Sequence, residues 1–262
     1  MSRYLRLSLC LKRCVRDKNR TDMNRFGLIG YPISHSLSPR LFSAAYGGKY
    51  AYDLIEDSSF DKVWDRFLSE YHAVNVTAPF KVLAAQRADI LAPEVQKIGA
   101  ANILVKTAGG ISAHNSDYLG VSGVLEEAFG DAGAARGATA LIVGYGGAGM
   151  AAAQAARDLG MDVVICNRTT GKAPGIRPLD EIPLLASVAD ILVYNIAQPI
   201  PQIEGVRVPL ILEANYSAPC LKDAATSRYF PGTAWHLKQA VKGYEIMSGE
   251  KPDVEKMALV YR

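Results

Sequence analysis

The chain has 262 residues, a formal net charge of +3 at pH 7 and 49% hydrophobic residues, with no apolar run near the roughly 18 residues that a membrane-spanning helix requires. Residues 1–22 contain seven Lys or Arg and two Asp, so the remaining 240 residues carry a formal net charge of −2. This composition excludes a helical membrane protein, and it excludes a folded part that presents a strongly basic surface to nucleic acid.

Residues 1–22 form a basic leader ahead of Met23 and the first apolar run. Basic residues interrupt its leucines, so it lacks the unbroken apolar stretch of about 7–15 residues that a secretory signal contains. A targeting peptide, an arm that binds RNA and a translation start placed too early all remain open. The position of Met23 just before the first predicted strand favours a misplaced start or a disordered tail.

The cysteine pattern indicates the cellular compartment. Cys10, Cys14, Cys166 and Cys220 include no CxxC pair and have no histidine nearby in the sequence. This spacing argues against a disulfide framework and against a structural zinc site. We therefore expect no metal site and a reducing, cytoplasmic environment.

Short apolar runs rich in β-branched residues alternate with longer helical patterns, as in α/β proteins with parallel sheets. The predicted strands cover residues 25–30, 50–55, 73–77, 102–106, 111–115, 139–144, 162–167, 190–195 and 209–214. The predicted helices are Pro39–Tyr46, Ser59–Tyr71, Phe80–Ile90, Tyr118–Phe129, Ala148–Leu159 and Leu237–Ser248. Residues 107–110, "TAGG", are typical of a hairpin turn between two strands.

A change of composition suggests two domains. The segment "EEAFGDAGAARGAT", residues 126–139, is rich in small residues and glycine and separates a helix from a new strand. We place a second domain at residues 119–236. Residues 23–118 and 237–262 then form the first domain, because the C-terminal helices need a partner to pack against. This arrangement leaves a cleft between two α/β domains.

A glycine-rich turn is the most informative motif of the second domain. Gly144, Gly146 and Gly149 form GxGxxG, with Gly147 and Ala148 inside it, between a β-rich run and an alanine-rich helix. Such glycines permit a tight turn, let backbone amides approach a pyrophosphate, and allow close helix–strand packing. A purely structural turn can have the same glycines, but the strand–turn–helix–strand context favours a Rossmann-type dinucleotide-binding domain.

The end of the next strand indicates which dinucleotide. NAD sites usually have an acidic residue there, whereas this chain has Asn167, Arg168 and Thr169, with Lys172 close behind. A guanidinium can stack on adenine and bind a 2′-phosphate through two hydrogen bonds. A solvated arginine in a loop is the alternative. The sequence therefore predicts NADP.

Polar clusters follow three strands of the first domain: "SHSLS" at 34–38, "NVTAPFK" at 75–81 and "HNSD" at 114–117. Ligands bind beyond the carboxyl ends of parallel strands, so we expect the clusters to meet in one crevice. Ser38 before Pro39 fits a helix N-cap, which leaves Ser36 without a role. Helix capping alone and a carboxylate pocket formed by both serines remain equally open.

Lys81 and Asp117 are more informative together than separately. A lysine at a helix start is usually solvated, and Asp117 can equally cap the helix predicted to start near Tyr118. As a pair in a closed cleft, however, they suit a hydride transfer to or from an alcohol. That reaction needs a group to exchange the hydroxyl proton.

The motifs together resemble the shikimate dehydrogenases over residues 24–262. The similarity rests on "SHSLSP", "NVTAPFK", "GAANIL", "NSD", "GYGGAG" followed by "NRT", and "HLKQA", which occur in the family order. The resemblance implies a two-domain α/β fold with a mostly parallel sheet in the N-terminal substrate domain. It also implies NADP-dependent reduction of 3-dehydroshikimate to shikimate in aromatic amino-acid biosynthesis, by a monomer or homodimer whose partners are small molecules.

The resemblance also implies roles for individual residues. Lys81 becomes the principal acid/base, and Asp117 its hydrogen-bonding partner on the side of the C4 hydroxyl. Ser36 and Ser38 become ligands of the substrate carboxylate. The remaining contacts, to ring hydroxyls or the carboxylate, are assigned to Thr77, Asn102 and Gln239, and Tyr216 lines the substrate pocket.

Three positions depart from the family pattern. Tyr118 replaces the common glycine after the motif aspartate, Ile196-Ala197 replaces Ala-Thr near the nicotinamide, and Trp235-His236 replaces Met-Leu. A packed or surface histidine is the commoner interpretation of His236, and a new polar contact is the alternative. A quinate/shikimate dehydrogenase with broader cofactor use, a catalytically silent homologue that binds shikimate or nucleotide, and RNA binding through the leader are the alternative functions.

Overall fold

The computed structural model describes residues 25–130, 132–224 and 228–262. The predictions for the leader, Cys10 and Cys14 lie outside these residues. The described chain contains two separate sheets with helices packed on them, and the predicted α/β class with parallel sheets is confirmed. No helix in the described ranges has both the length and the apolar composition required to cross a membrane.

The regular elements alternate along the chain. The strands are β1 (Arg25–Gly30), β2 (Ala51–Glu56), β3 (Ala73–Val76), β4 (Ile90–Leu91), β5 (Ile103–Thr107), β6 (Gly110–His114), β7 (Thr139–Val143), β8 (Asp162–Cys166), β9 (Ile191–Tyr194), β10 (Leu210–Glu213) and β11 (Arg228–Phe230). The α-helices are α1 (Ser38–Tyr46), α2 (Phe60–Glu70), α3 (Lys81–Arg87), α4 (Pro93–Ile98), α5 (Ser116–Phe129), α6 (Ala132–Ala135), α7 (Gly147–Asp158), α8 (Ile182–Ala186), α9 (Gly232–Ser248) and α10 (Val254–Leu259). Short 3₁₀ helices lie at Thr170–Lys172, Leu179–Glu181 and Pro201–Ile203.

The first sheet has the strand order β2-β1-β3-β5-β6-β4. Its neighbours are parallel except where β5 runs antiparallel to β3 and β6, so the sheet is mostly parallel. Both faces of β1 are covered, which explains its continuous apolar run. Trp64 and Phe67 of α2 belong to the core on one face, and Phe42 of α1 and Tyr244 of α9 belong to the core on the other.

The second sheet is parallel throughout, in the order β11-β10-β9-β7-β8. Every residue of β9 and β10 is buried, as expected for central strands covered on both faces. Five alanines of α7 are fully or almost fully buried, so this helix approaches the sheet closely. The N-terminus of α7 therefore lies directly beyond the end of β7.

Helices α5 and α9 pack tightly against each other between the two sheets. Gly120 and Gly243 lie where no side chain fits: a Cβ at Gly120 would be 2.7–2.9 Å from the Cβ, N and Cα atoms of Gln239. A Cβ at Gly243 would be 3.0 Å from Ser116 Oγ. Both helices run through the predicted domain limits at 118/119 and 236/237, and the division into domains stays a prediction.

One helix prediction extends too far. The pattern predicts a helix to Ile90, but α3 ends at Arg87, and Ile90 begins β4. Asp89 explains the difference, because its backbone N–H donates to the Ile111 carbonyl and its carboxylate accepts the Ile111 N–H at 2.7 Å. Pairing with β6 therefore overrides local helix propensity. The apolar pattern does not predict the short elements β4, β11, α4, α6, α8 and α10.

Replacing Gly120 with alanine should destabilise the fold. The added methyl would press on the Gln239 backbone, and overpacking of this kind costs about 1–3 kcal/mol. Chemical denaturation followed by circular dichroism measures the free energy of unfolding. Gly123→Ala is the matched control on the same helix, because its nearest neighbour would be Lys238 Cδ at 3.5 Å. Equal free energies of unfolding for Gly120→Ala and Gly123→Ala would contradict the close crossing of α5 and α9.

Candidate active site

A cavity of about 350 Å³ opens beyond the carboxyl ends of β1, β3 and β6, where they meet α9. Its walls contain every residue that the sequence assigned to catalysis or substrate binding. These are Ser36, Ser38, Thr77, Lys81, Asn102, Asp117, Tyr216 and Gln239. The expectation that the three polar clusters meet in one crevice therefore agrees with the geometry, while the roles of the individual residues stay predictions.

The loop after β1 brings Ser36 and Ser38 together, with the Ser36 hydroxyl donating to Ser38 Oγ at 3.1 Å. The interpretation of Ser38 as helix N-cap is wrong, since α1 begins at Ser38 and its N-cap residue is Leu37. Ser36 Oγ instead accepts the Ser38 N–H at 3.2 Å. The buried Tyr244 hydroxyl donates to the Ser38 carbonyl and fixes the loop from α9.

Lys81 and Asp117 form an ion pair inside the cavity, with 2.5 Å between Lys81 Nζ and Asp117 Oδ2. Their side chains are only 16% and 5% exposed, so Lys81 is not the solvated lysine that its position at a helix start suggests. Asn115, not Asp117, caps α5, because its side chain accepts the Tyr118 N–H at 3.0 Å. The Asp117 carboxylate is therefore free of a capping role.

The backbone around Asp117 is held from α9 and from Asn102, which precedes β5. The buried Trp235 indole donates its N–H to the Asp117 carbonyl at 3.0 Å. Asn102 Oδ1 accepts the Ser116 N–H at 2.7 Å, and Asn102 Nδ2 donates to Ser116 Oγ at 3.1 Å. Trp235 and Asn102 thus fix the first turn of α5, and with it the position of the carboxylate.

Other cavity residues keep their polar groups available. The side chains of Thr77 and Gln239 make no hydrogen bond to any residue of the described chain. Thr77 follows β3, and Gln239 lies on α9 opposite Gly120. Both can therefore bind a polar ligand without losing a contact within the protein.

An aromatic stack forms the wall on the C-terminal side. The rings of Tyr216 and His236 lie parallel, with 4.1 Å between centroids and an interplanar angle of 2°. His236 Nδ1 is 2.7 Å from the Tyr261 hydroxyl. Burial lowers the pKa of His236 to about 4, so the imidazole is neutral at pH 7. The sequence indicates His236 as a departure from the family pattern, but it gives no signal for Tyr244 and Tyr261, because their proximity depends on tertiary packing.

The glycine-rich turn lies against the Lys81–Asp117 pair. Gly144 has φ +89°, which favours glycine, and a Cβ at Gly149 would be 2.0 Å from the Gly144 carbonyl oxygen. A Cβ at Gly147 would be 2.8 Å from Lys81 Cδ, whereas none of the described atoms lies within 4 Å of a Cβ at Gly146. The turn is therefore packed tightly on the protein side and open over Gly146.

The residues around this turn fit a dinucleotide. Asn195 Oδ1 is buried without a hydrogen-bond partner in the described chain, beside Gly144 and Gly149, so it can accept a bond from a ligand. Asn167 is occupied, because it accepts the Tyr145 N–H and donates to the Thr169 carbonyl, each at 3.0 Å.

The strand end beyond Asn167 and the start of α7 complete this region. Arg168 and Thr169 are exposed, and the Arg168 guanidinium makes no ion pair or hydrogen bond within the described ranges. Ala148 packs on the core of the second sheet. Beyond Asn167, the Arg168 guanidinium is thus exposed and has no partner in the described chain. The start of α7, in contrast, is held against the second sheet.

The two other departures from the family pattern, at Tyr118 and Ala197, also have structural partners. The Tyr118 hydroxyl donates to Asp158 Oδ2 at 2.8 Å, and Lys97 also contacts this carboxylate at 2.9 Å. Burial, together with Asp158, raises the pKa of Tyr118 to about 12. Ala197 accepts a hydrogen bond from Asn215 Nδ2 at 2.8 Å. Tyr118 thus ties α5 to the C-terminal end of α7.

Asn102→Ala should destabilise the protein even without any ligand. The substitution leaves the buried Ser116 N–H without an acceptor, a loss of about 1–3 kcal/mol. Thermal and urea unfolding of the ligand-free protein measure the effect. Gln239→Ala is the control, because its side chain makes no hydrogen bond in the described chain, and it should change stability by less than about 0.5 kcal/mol. If Asn102→Ala were as stable as the wild type, Asn102 would have no role in holding α5 and could act only in ligand binding.

Comparison with known proteins identifies the family. Residues 28–104 match the family model described as the shikimate dehydrogenase substrate binding domain. The shikimate dehydrogenase (NADP(+)) of Natronomonas pharaonis is 35% identical, with 90% of this chain and 97% of the relative covered. The corresponding enzyme of Archaeoglobus fulgidus is 30% identical, with coverage of 87% and 94%.

Solved structures of similar proteins have the same fold. The crystal structure of Mycobacterium tuberculosis shikimate dehydrogenase is 28% identical, with a TM-score of 0.77 over 91% of this chain and 98% of the other. The shikimate 5-dehydrogenase from Thermus thermophilus, in complex with NADP(H) and shikimate, is 26% identical, with a TM-score of 0.73 and the same coverage. Together with the motifs gathered in one cavity, these similarities establish that the chain belongs to the shikimate dehydrogenase family.

Proposed function

We propose that this protein catalyses the reversible, NADP-dependent reduction of 3-dehydroshikimate to shikimate in aromatic amino-acid biosynthesis. The observation that supports the proposal most directly is the buried Lys81–Asp117 pair, which lies between a polar cavity and the glycine-rich turn. The relatives from N. pharaonis and A. fulgidus are named for this reaction and this cofactor. The T. thermophilus neighbour was solved with both ligands.

The acid/base step falls to Lys81. When a ketone is reduced, its carbon receives a hydride and its oxygen receives a proton, and the nicotinamide of bound NADPH would supply the hydride. Lys81 Nζ gives the proton to the oxygen, and in the reverse direction it takes the proton from the hydroxyl. Asp117 orients the lysine through the 2.5 Å contact and accepts a hydrogen bond from the neighbouring ring hydroxyl.

The other cavity residues hold the substrate in the position that the reaction requires. Ser36 and Ser38 present two adjacent hydroxyls to the carboxylate, next to the start of α1. Thr77 and Gln239 offer polar groups that have no partner in the described chain, and Asn102 and Tyr216 complete the wall. Correct placement of the reacting carbon is a large part of the catalysis, because it removes the entropic cost of alignment.

The cofactor end is proposed to lie along the start of α7. Gly144, Gly146 and Gly149 let the pyrophosphate approach the helix N-terminus, which favours an anion. Arg168 and Thr169 would hold the 2′-phosphate, as no carboxylate stands at this strand end to repel it.

The proposal also covers the cellular compartment and the assembly of the enzyme. Cys166 and Cys220 are free thiols in the described chain, which suits a reducing cytoplasm. We infer that the enzyme is a cytoplasmic monomer or homodimer whose partners are small molecules.

A single assay tests the function. Purified protein is incubated with shikimate or quinate and with NADP⁺ or NAD⁺, and the absorbance of the reduced nicotinamide is followed. Turnover with shikimate and NADP⁺ is expected to be fastest. Equal turnover of quinate would support the broader enzyme. No turnover with any pair would favour a silent binding protein, against which the intact Lys81–Asp117 pair argues.

Lys81→Met should lower kcat by roughly 10²–10⁴, the usual range for a positioned acid or base, with a much smaller change in KM for shikimate. Steady-state kinetics measure both constants. Lys62→Met is the control, because this lysine is 71% exposed and forms an ion pair with Asp57. A loss confined to KM would make Lys81 a binding residue.

Arg168→Ala should raise KM for NADP⁺ by roughly tenfold or more and leave KM for NAD⁺ unchanged. The reason is the loss of a charge-assisted hydrogen bond to phosphate, which contributes about 1.5–3 kcal/mol. Arg157→Ala, at an exposed arginine in the last turn of α7, is the matched control. Unaltered NADP⁺ kinetics in Arg168→Ala would refute the assignment of the 2′-phosphate site.

A further inference from the structure

We propose that His236 is a substrate-binding residue that sets specificity, with its imidazole Nε2 hydrogen-bonded to a ring hydroxyl of the substrate. The inference rests on the proposed function and adds a contact that the family pattern, with leucine common at this position, cannot provide. The ligand class is a polyhydroxylated six-membered ring carboxylic acid.

The position of His236 on α9 directs it into the cavity. His236, Gln239 and Ala240 are spaced at i, i+3 and i+4, so they share one face of the helix, and all three line the cavity. Lys81 and Asp117 line the same cavity. His236 therefore faces the same space as the proposed catalytic pair.

Two tyrosines hold the imidazole in one orientation. Tyr216 stacks on its face at 4.1 Å, and the Tyr261 hydroxyl hydrogen-bonds Nδ1 at 2.7 Å. Tyr261 lies near the C-terminus, beyond α10, so the last residues of the chain help to form this wall. A ring fixed on both sides loses little further freedom when it binds a ligand.

Nε2 is the hydrogen-bonding atom that these contacts leave open. The Tyr261 hydroxyl is the imidazole's hydrogen-bond partner within the described chain, and it occupies Nδ1. Among the described residues, Asn195 Oδ1 is the only fully buried side-chain N or O atom without a hydrogen-bond partner. Nε2, which has no partner in the described chain either, therefore keeps accessible surface on a residue that lines the cavity. The neutral imidazole offers this atom without adding a charge beside Lys81.

Two substitutions separate hydrogen bonding from packing. His236→Leu keeps apolar volume and introduces the residue common in the family. His236→Gln keeps a polar atom near the position of Nε2. Calorimetric titration with shikimate should show affinity weakened roughly 3- to 10-fold in His236→Leu, the loss expected for one hydrogen bond, and largely retained in His236→Gln. The affinity for NADP⁺ should stay unchanged in both.

Shikimate analogues that each lack one ring hydroxyl identify the contact. For one of them, the wild type and His236→Leu should bind equally, because the group that His236 recognises is missing. Lys238→Met is the control on the same helix, since its side chain is 39% exposed and pairs with Glu127. Thermal unfolding checks that each variant is folded.

The outcomes are distinct. Wild-type protein that neither binds nor turns over shikimate would overturn the proposed function. Normal wild-type turnover, with His236→Leu binding as tightly as wild type, would overturn this inference alone. Equal weakening in His236→Leu and His236→Gln would also overturn it, because His236 would then act by supporting Tyr216 through packing.

Discussion

The close crossing of α5 and α9 is the constraint on which the rest of the molecule depends. Residues of α5 such as Val121 and Leu125 belong to the core of the second sheet, while Tyr244 and Met247 of α9 belong to the core of the first. Gly120 lets the helix backbones meet at the level of Gln239. Asp117 lies at the start of α5, so the same contact that joins the cores also places a carboxylate opposite residues of α9.

Much of the fold follows from the sequence because its central strands are buried on both faces. Such strands need continuous apolar runs, and β7, β9 and β10 are visible for that reason. Two-residue and three-residue strands such as β4 and β11 have no periodic signal and form only when a neighbour pairs with them. Asp89 shows this physically, since its bonds to Ile111 end a helix that local propensity would extend.

The sequence predicts one side of the candidate site and not the other. Ser36, Lys81 and Asp117 lie in the segments that follow β1, β3 and β6, and a mostly parallel sheet brings such strand ends to one edge. The wall formed by Tyr216, His236 and Tyr261 combines three distant parts of the second half of the chain. No spacing rule joins these residues, because their contacts depend on where α9 packs.

The absence of a side chain at Gly147 has a consequence for Lys81. A Cβ at position 147 would lie 2.8 Å from Lys81 Cδ, so any side chain there requires the lysine stem to move. Arg168, exposed and uncommitted within the described chain, is under no such restriction. The proposed choice between NADP and NAD at Arg168 can therefore change without disturbing the packing around Lys81.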